Sequence, residues 1–231
     1  MILTNASNIR YGGADVREVR LGGTSVWQRS TPPPLEEGLV FWLKAIDDLL
    51  DHSGYAHSVV PTKPTLLNNG QLELRGADDY LDIPEDLGYT TALTACGWFR
   101  AVGEPGSDHH IMFGGPEMEI SIHTAGYLRA GIHDGATRVV ADYGTGLVDG
   151  TYHHLAVTYD QEHLIHYIDA VEVGRTPLSQ AQVVSAVPSR RIGRFGVSTE
   201  YFANADLYDL RVYSRALVVE DLQAIVTATR R

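Results

Sequence analysis

From Leu35 onward the chain alternates short apolar-polar runs with turn residues. Leu72-Glu73-Leu74, Tyr80-Leu81-Asp82-Ile83, Met118-Glu119-Ile120-Ser121-Ile122, Leu155-Ala156-Val157-Thr158-Tyr159, Ile165-His166-Tyr167-Ile168 and Leu210-Arg211-Val212-Tyr213 carry the two-residue period of strands with one buried face. Leu39-Val40-Phe41-Trp42-Leu43 and Leu93 to Phe99 are more continuously apolar and predict strands buried on both faces. Asn68-Asn69-Gly70, Gly114-Gly115-Pro116 and Asp149-Gly150 punctuate the runs as turns. Many short strands at this spacing predict a two-sheet sandwich or a barrel. Helical spacing is confined to about 218–229, where Leu222 and Ile225 share a face.

The first thirty residues follow another pattern. Ile9-Arg10-Tyr11-Gly12-Gly13-Ala14-Asp15-Val16 repeats ten residues later as Val19-Arg20-Leu21-Gly22-Gly23-Thr24-Ser25-Val26. Each unit reads as strand, Gly-Gly turn, strand. Two such units are too small to bury a core alone and need a partner surface. Pro32-Pro33-Pro34 then sets a stiff, extended boundary. The organisation is a β-repeat arm (1–30), a Pro-rich linker (31–37) and a sandwich (38–231).

Charge narrows the partners. The formal net charge is −11. The arm holds four arginines against Asp15 and Glu18, a net of +2, which leaves −13 for the rest. An acidic domain argues against a phosphate-backbone partner. Cys96 is the single cysteine, so no intrachain disulfide forms, and its strand context reads as a small core side chain. The N-terminus has neither the basic start nor the apolar stretch of a signal peptide, and no segment reaches the about 18 apolar residues of a membrane helix.

Several segments, in order, resemble the laminin-G/concanavalin-A-like superfamily. They are Gly38 to Leu43, Asp51-His52-Ser53-Gly54, Gly76 to Pro84, Leu93 to Phe99, Asp149 to Asp160, Tyr167-Ile168-Asp169-Ala170, Ile192-Gly193-Arg194 and Asp209 to Leu217. The resemblance implies a jelly-roll β-sandwich with a short C-terminal helix, built for binding. Ala170 stands where the family has a turn glycine, which predicts a different turn there. Val218 replaces the usual N-cap serine, so the last helix is expected to start weakly. The arm's Gly22-Gly23-Thr24-Ser25-Val26-Trp27 is similar to short repeats of tailed-bacteriophage virion proteins. That implies a multi-copy decoration or tail protein, located in the virion. It would dock on capsid or tail subunits through Arg10, Tyr11, Arg20, Leu21 and Trp27 and display a lectin-like domain to host surface glycans. The alternatives are a bacterial carbohydrate-binding module and a glycoside hydrolase.

Four chemistries have candidate residues. Hydrolases of this fold carry Glu-x-Asp-x-x-Glu on one strand; Glu117-Met118-Glu119-Ile120-Ser121-Ile122 places Ile122 at the third acid, so no enzyme is expected. A structural Ca²⁺ is implied by the resemblance at Asp51 and Asp209, whereas local chemistry has Asp51 capping its own turn and Asp209 pairing with Arg211. Among ten histidines, neither His109-His110 nor His153-His154 is a ready chelate, because neighbours on a strand point to opposite faces. Glycan recognition needs aromatic platforms, and Tyr55, Tyr89, Tyr127, Tyr143 and Tyr201 lie in loop-like segments; Trp42 and Trp98 read as core.

Overall fold

The computed structural model describes residues 36–231 apart from 63–65, 77, 89–90, 116–117, 134–137, 179–189 and 197–199, and within residues 1–35 the backbone of four strands. The chain divides into two compact units, Met1–Glu37 and Gly38–Arg231. In the first, β1 (Ile9–Tyr11) pairs antiparallel with β2 (Ala14–Val16), and β3 (Glu18–Leu21) with β4 (Thr24–Gln28). Each hairpin spans one Gly-Gly of the repeat.

The second unit runs through β5 (Leu39–Leu43), β6 (Val60–Thr62), β7 (Leu66–Asn68), β8 (Gln71–Leu74), β9 (Tyr80–Ile83), β10 (Leu93–Ala101), β11 (His109–Gly114), β12 (Met118–His123) and β13 (Leu128–His133). It continues through β14 (Arg138–Tyr143), β15 (His153–Tyr159), β16 (His163–Ile168), β17 (Val171–Pro177), β18 (Arg190–Ile192) and β19 (Ala205–Tyr213) to the helix α1 (Val219–Thr229). One sheet has the order β17-β16-β15-β10-β19-β8-β7, with β5 alongside the C-terminal half of β19. The other has the order β14-β13-β12-β11-β18-β9-β6. Every strand pair is antiparallel, and the arrangement is a jelly-roll sandwich of the concanavalin-A-like kind. Among the described residues no helix is long and apolar enough to cross a membrane.

Alternation explains the core. Phe41, Leu43, Leu72, Leu74, Phe99 and Leu155 of the first sheet are fully buried, as are Leu81, Ile122, Leu128 and Ala130 of the second. Burying each such Leu or Phe contributes about 1.5–3 kcal/mol. A bulge resets the alternation in β19. Cys96 opposes Arg211 but Trp98 opposes Tyr208, so Asp209 and Leu210 share the place facing Gly97, with Asp209 at φ 52°. A Cβ on Gly97 would lie 2.6 Å from Leu210 Cδ2 and 2.9 Å from Met112 Cε of the facing sheet. A glycine is therefore required where bulge and opposite sheet meet. Trp98 is buried as expected, yet outside the inter-sheet core. It stacks on Tyr208 (centroids 5.5 Å), and its Nε1 donates to Thr229 Oγ1 of α1 (2.8 Å).

The helix starts at Val218 without a side-chain cap, in line with its sequence. The β16–β17 turn differs from expectation. Asp169 (φ 51°) and Ala170 (φ 62°) both adopt the left-handed conformation of a two-residue primed turn, so the turn type survives the loss of glycine. Asp169 is held there because its Oδ1 accepts from His154 N (3.0 Å) and its Oδ2 faces His153 Nδ1 (3.0 Å). Ala170 carries the steric cost without such support. Ala170→Gly is expected to raise stability by about 0.5–1 kcal/mol, read as a higher urea midpoint. An unchanged or lower midpoint would contradict the strain.

Three histidines are buried as neutral rings. His110, His154 and His166 are each pushed down to about 4 by desolvation. The unfolded chain binds protons near pH 6.5 and the folded chain only near 4, so stability present above pH 6.5 is lost as pH falls through that window. Each such histidine contributes a slope of about 1.4 kcal/mol per pH unit. The urea midpoint should fall from pH 7 to pH 5, and His154→Leu should narrow the difference. Equal midpoints at the two pH values in the unsubstituted protein would refute the assignment.

Candidate functional site

The outer face of the second sheet carries a dense polar cluster. On β12, Ile120 and Ile122 turn to the core, which leaves Glu119, Ser121 and His123 on the other face. Antiparallel register extends that face sideways. His123 lies opposite His109, Ser121 opposite Arg129, and Arg129 opposite Asp142. The chain after β18 folds over this surface at Gly114, where a Cβ would sit 2.2 Å from Arg194 O. Phe195 N donates to Tyr201 O (3.0 Å) and Ala203 N to Gly193 O (2.8 Å), which ties the flanks of this segment together. Phe195 and Tyr201 thus stand beside the sheet. Together with Asp108, His109, Glu119, Arg129 and Arg138 they line a groove of about 300 Å³.

Its charges are paired and oriented. Arg129 forks onto Asp142 through Nε (2.7 Å) and Nη2 (2.8 Å), and this contact holds the Asp142 carboxyl below its ordinary range. Glu119 accepts from Ser121 Oγ (2.7 Å) and pairs with Arg138, whose guanidinium lies 5.2 Å from the Phe195 ring centre. Phe195 and Tyr201 meet edge to face, and Tyr201 remains 41% exposed, so it offers aromatic surface to a ligand.

One end of the groove is an Asp-His-His cluster. His109 Nδ1 lies 2.6 Å from Asp108 Oδ1, and His123 Nε2 lies 3.4 Å from Asp108 Oδ2. The two imidazoles meet edge to face at 4.7 Å, and Tyr127 stacks on His123 at 4.4 Å. Burial lowers the His109 pKa against the pull of Asp108 and so favours the neutral ring.

Among the predicted glycan residues, Tyr201 lines the groove and Tyr127 backs its histidine end. Of the other three, two lie elsewhere. Tyr55 stacks on His57. Tyr143 is on strand β14, not in a loop; it covers Gly174, and its hydroxyl reaches Thr176 Oγ1 (2.9 Å), tying β14 to β17. Tyr89 lies outside the described residues. Arg10 and Tyr11 fall on β1, Arg20 and Leu21 on β3, and Trp27 on β4; their side chains lie outside the described residues.

The expected calcium pair does not fit a cation. Asp51 Oδ1 accepts from Trp42 N and Ser53 N (both 2.9 Å), and its Oδ2 from Ser53 Oγ (2.8 Å) and His57 N (2.9 Å). Asp209 Oδ1 accepts from Trp42 Nε1 (2.7 Å), and both its oxygens face the buried Arg211 guanidinium. A hard cation wants six to eight free oxygens, whereas these carboxylates cap a turn and neutralise an arginine. Glu117 lies outside the described residues, and Ile122 is in the core. Cys96 is buried, its thiol pushed up to about 12 by desolvation.

The sequence missed Phe195, Arg138 and the His109–His123 pair. Phe195 and Arg138 gain meaning only through the loop over Gly114. The paired histidines are brought together by the β11–β12 register, of which only the β12 run shows as alternation in the sequence.

A second groove, about 350 Å³, lies on the first sheet beside the end of α1. Its aromatic surfaces are already taken. Lys44 and Arg211 each lie 4.4 Å from the Trp42 ring centre, and Arg231 lies 4.2 Å from that of Tyr208.

Comparison with known proteins places this geometry in context. A family model described as "Concanavalin A-like lectin/glucanases superfamily" matches residues 75–223, more than half of the chain. No curated protein matches the sequence. Similar solved structures include botulinum neurotoxin type C, in work on cell entry dependent on two ganglioside molecules (TM-score 0.69, 12% identity, 84% of this chain and 52% of that one). Another is the binding domain of Paraclostridial Mosquitocidal Protein 1 (0.67, 13%, 84% and 53%). A third is the botulinum neurotoxin serotype D ligand-binding domain in complex with N-acetylneuraminic acid (0.67, 14%, 83% and 51%). The chain spans about half the length of these structures, and at such identities the likeness is one of fold.

Proposed function

We propose, for a chain that belongs to the concanavalin A-like lectin/glucanases superfamily, that the groove on the outer face of its second sheet binds glycans without turning them over. The observation that carries this is Tyr201, an exposed aromatic ring beside side chains fixed in charged pairs. A sugar ring stacks on such a platform, and its hydroxyls exchange hydrogen bonds with oriented carboxylate and guanidinium groups. In the second groove the Trp42 and Tyr208 rings already carry cations. Binding without hydrolysis fits the residues, since Glu119 is occupied by Arg138 and Ser121. A glycan array with the full chain should return ligands. Calorimetry on the best of them should show Tyr201→Ala weakening binding by about tenfold or more, as loss of a central aromatic contact does, with Tyr55→Ala unchanged. Silence on the array, or loss on Tyr55→Ala with Tyr201→Ala neutral, would overturn the assignment.

The finer reading is a multi-copy protein of a bacteriophage virion. Its support is the first unit, two hairpins of three- to five-residue strands built on a ten-residue repeat. Hairpins this small gain stability by adding to a neighbour's sheet, and repetition in a symmetric particle would raise weak glycan contacts through avidity. Deleting residues 1–30 is expected to abolish incorporation into particles. Normal incorporation would refute docking through the arm.

A further inference from the structure

We infer that Asp108, His109 and His123 form a binding site for one divalent transition-metal ion, of the zinc type, at the rim of the groove. The inference stands on these three residues and does not require the groove to bind glycans. One ligand atom from each lies within 4.8 Å of the others, an arrangement a single ion can draw together at Zn–N distances of about 2.0–2.1 Å. Two imidazoles and one carboxylate suit a borderline ion such as zinc rather than calcium, which wants more oxygens.

Three further features point to a ligand-accepting site and not merely a hydrogen-bonded trio. His109 is 4% exposed, and its Nε2 has no hydrogen-bond partner, so that ring retains unspent coordinating capacity; His123 Nδ1 accepts from Ala125 N (2.9 Å) and must give up that bond for its Nε2 to bind the ion. The backbone around the three side chains is preorganised. His109 and His123 are direct cross-strand partners, Thr124 N donates to Asp108 O (2.8 Å), and His123 N donates to Tyr127 O (3.0 Å). The nearby positive charge of Arg129 is offset by its fork onto Asp142. Three protein ligands leave a fourth position for zinc, and Asp108 and His109 both line the groove, so that position opens toward it. A water or a ligand oxygen could complete the coordination there.

Calorimetric titration of the full chain with zinc chloride should give one ion bound per chain. Asp108 is well exposed and His123 partly so, which makes Asp108→Asn and His123→Ala mild changes for the fold. Each should weaken zinc by about tenfold or more, since the loss of even an outer partner costs that much. His153→Ala, at a separate cluster with Asp149 and Asp169, should leave the affinity unchanged. Cobalt(II) should give the visible absorption of a four-coordinate site, absent in His123→Ala. Zinc affinity equal in His123→Ala and the unsubstituted chain, or no zinc uptake by the folded protein, would overturn the inference. A silent glycan array with zinc still bound would instead fault the glycan reading alone.

Discussion

The pairing of β11 with β12 is the constraint on which the site depends. Side chains alternate along a strand, so a slip of one residue would send His109 inward and His110 outward. The observed register sets His109 against His123 at one end and Gly114 against Glu119 at the other. The first pairing builds the Asp-His-His cluster. The second leaves a side-chain-free spot where the loop carrying Phe195 and Tyr201 can cross. His110, the neighbour that must face inward, packs edge to face on Phe99 of the opposite sheet at 5.6 Å and stays neutral. One hairpin therefore fixes a core contact and a surface site together.

The first sheet holds buried aspartates paired with arginines. Arg211 is almost fully buried, bound to Asp209, with its guanidinium over Trp42. Asp206, fully buried, is shared between Arg75 and Arg100. Such pairs add little net stability, but removing one partner strands a buried charge and is costly. Both anchor β19, the strand that touches β10, β5 and β8.

Much of the fold was legible because it is written in alternation. β5, β10, β12 and β15 follow directly from their apolar patterns. The bulge at Asp209 was not legible, because it arises from Gly97 on another strand meeting Met112 of the opposite sheet. The turn at Ala170 was misjudged because a hydrogen-bonding neighbour, Asp169, sustains a conformation that alanine disfavours. For the site, Tyr201 was visible as an aromatic in a loop. His109 and His123 were not, since chelation was sought between neighbours in sequence and the chelating geometry lies across a strand pair. Asp51 and Asp209 illustrate the converse. The resemblance pointed to a metal, but their local hydrogen-bond chemistry decided their roles.

Where the ligand is recognised is tested by chemical-shift mapping of the isotopically labelled full chain on titration with the tightest glycan found. Perturbed amides should cluster at Asp108, His109, Arg129 and Tyr201 on the outer face of the second sheet. Perturbations confined to Tyr55 and His57, or to Trp42, Lys44 and Arg230, would place recognition elsewhere and contradict the groove assignment.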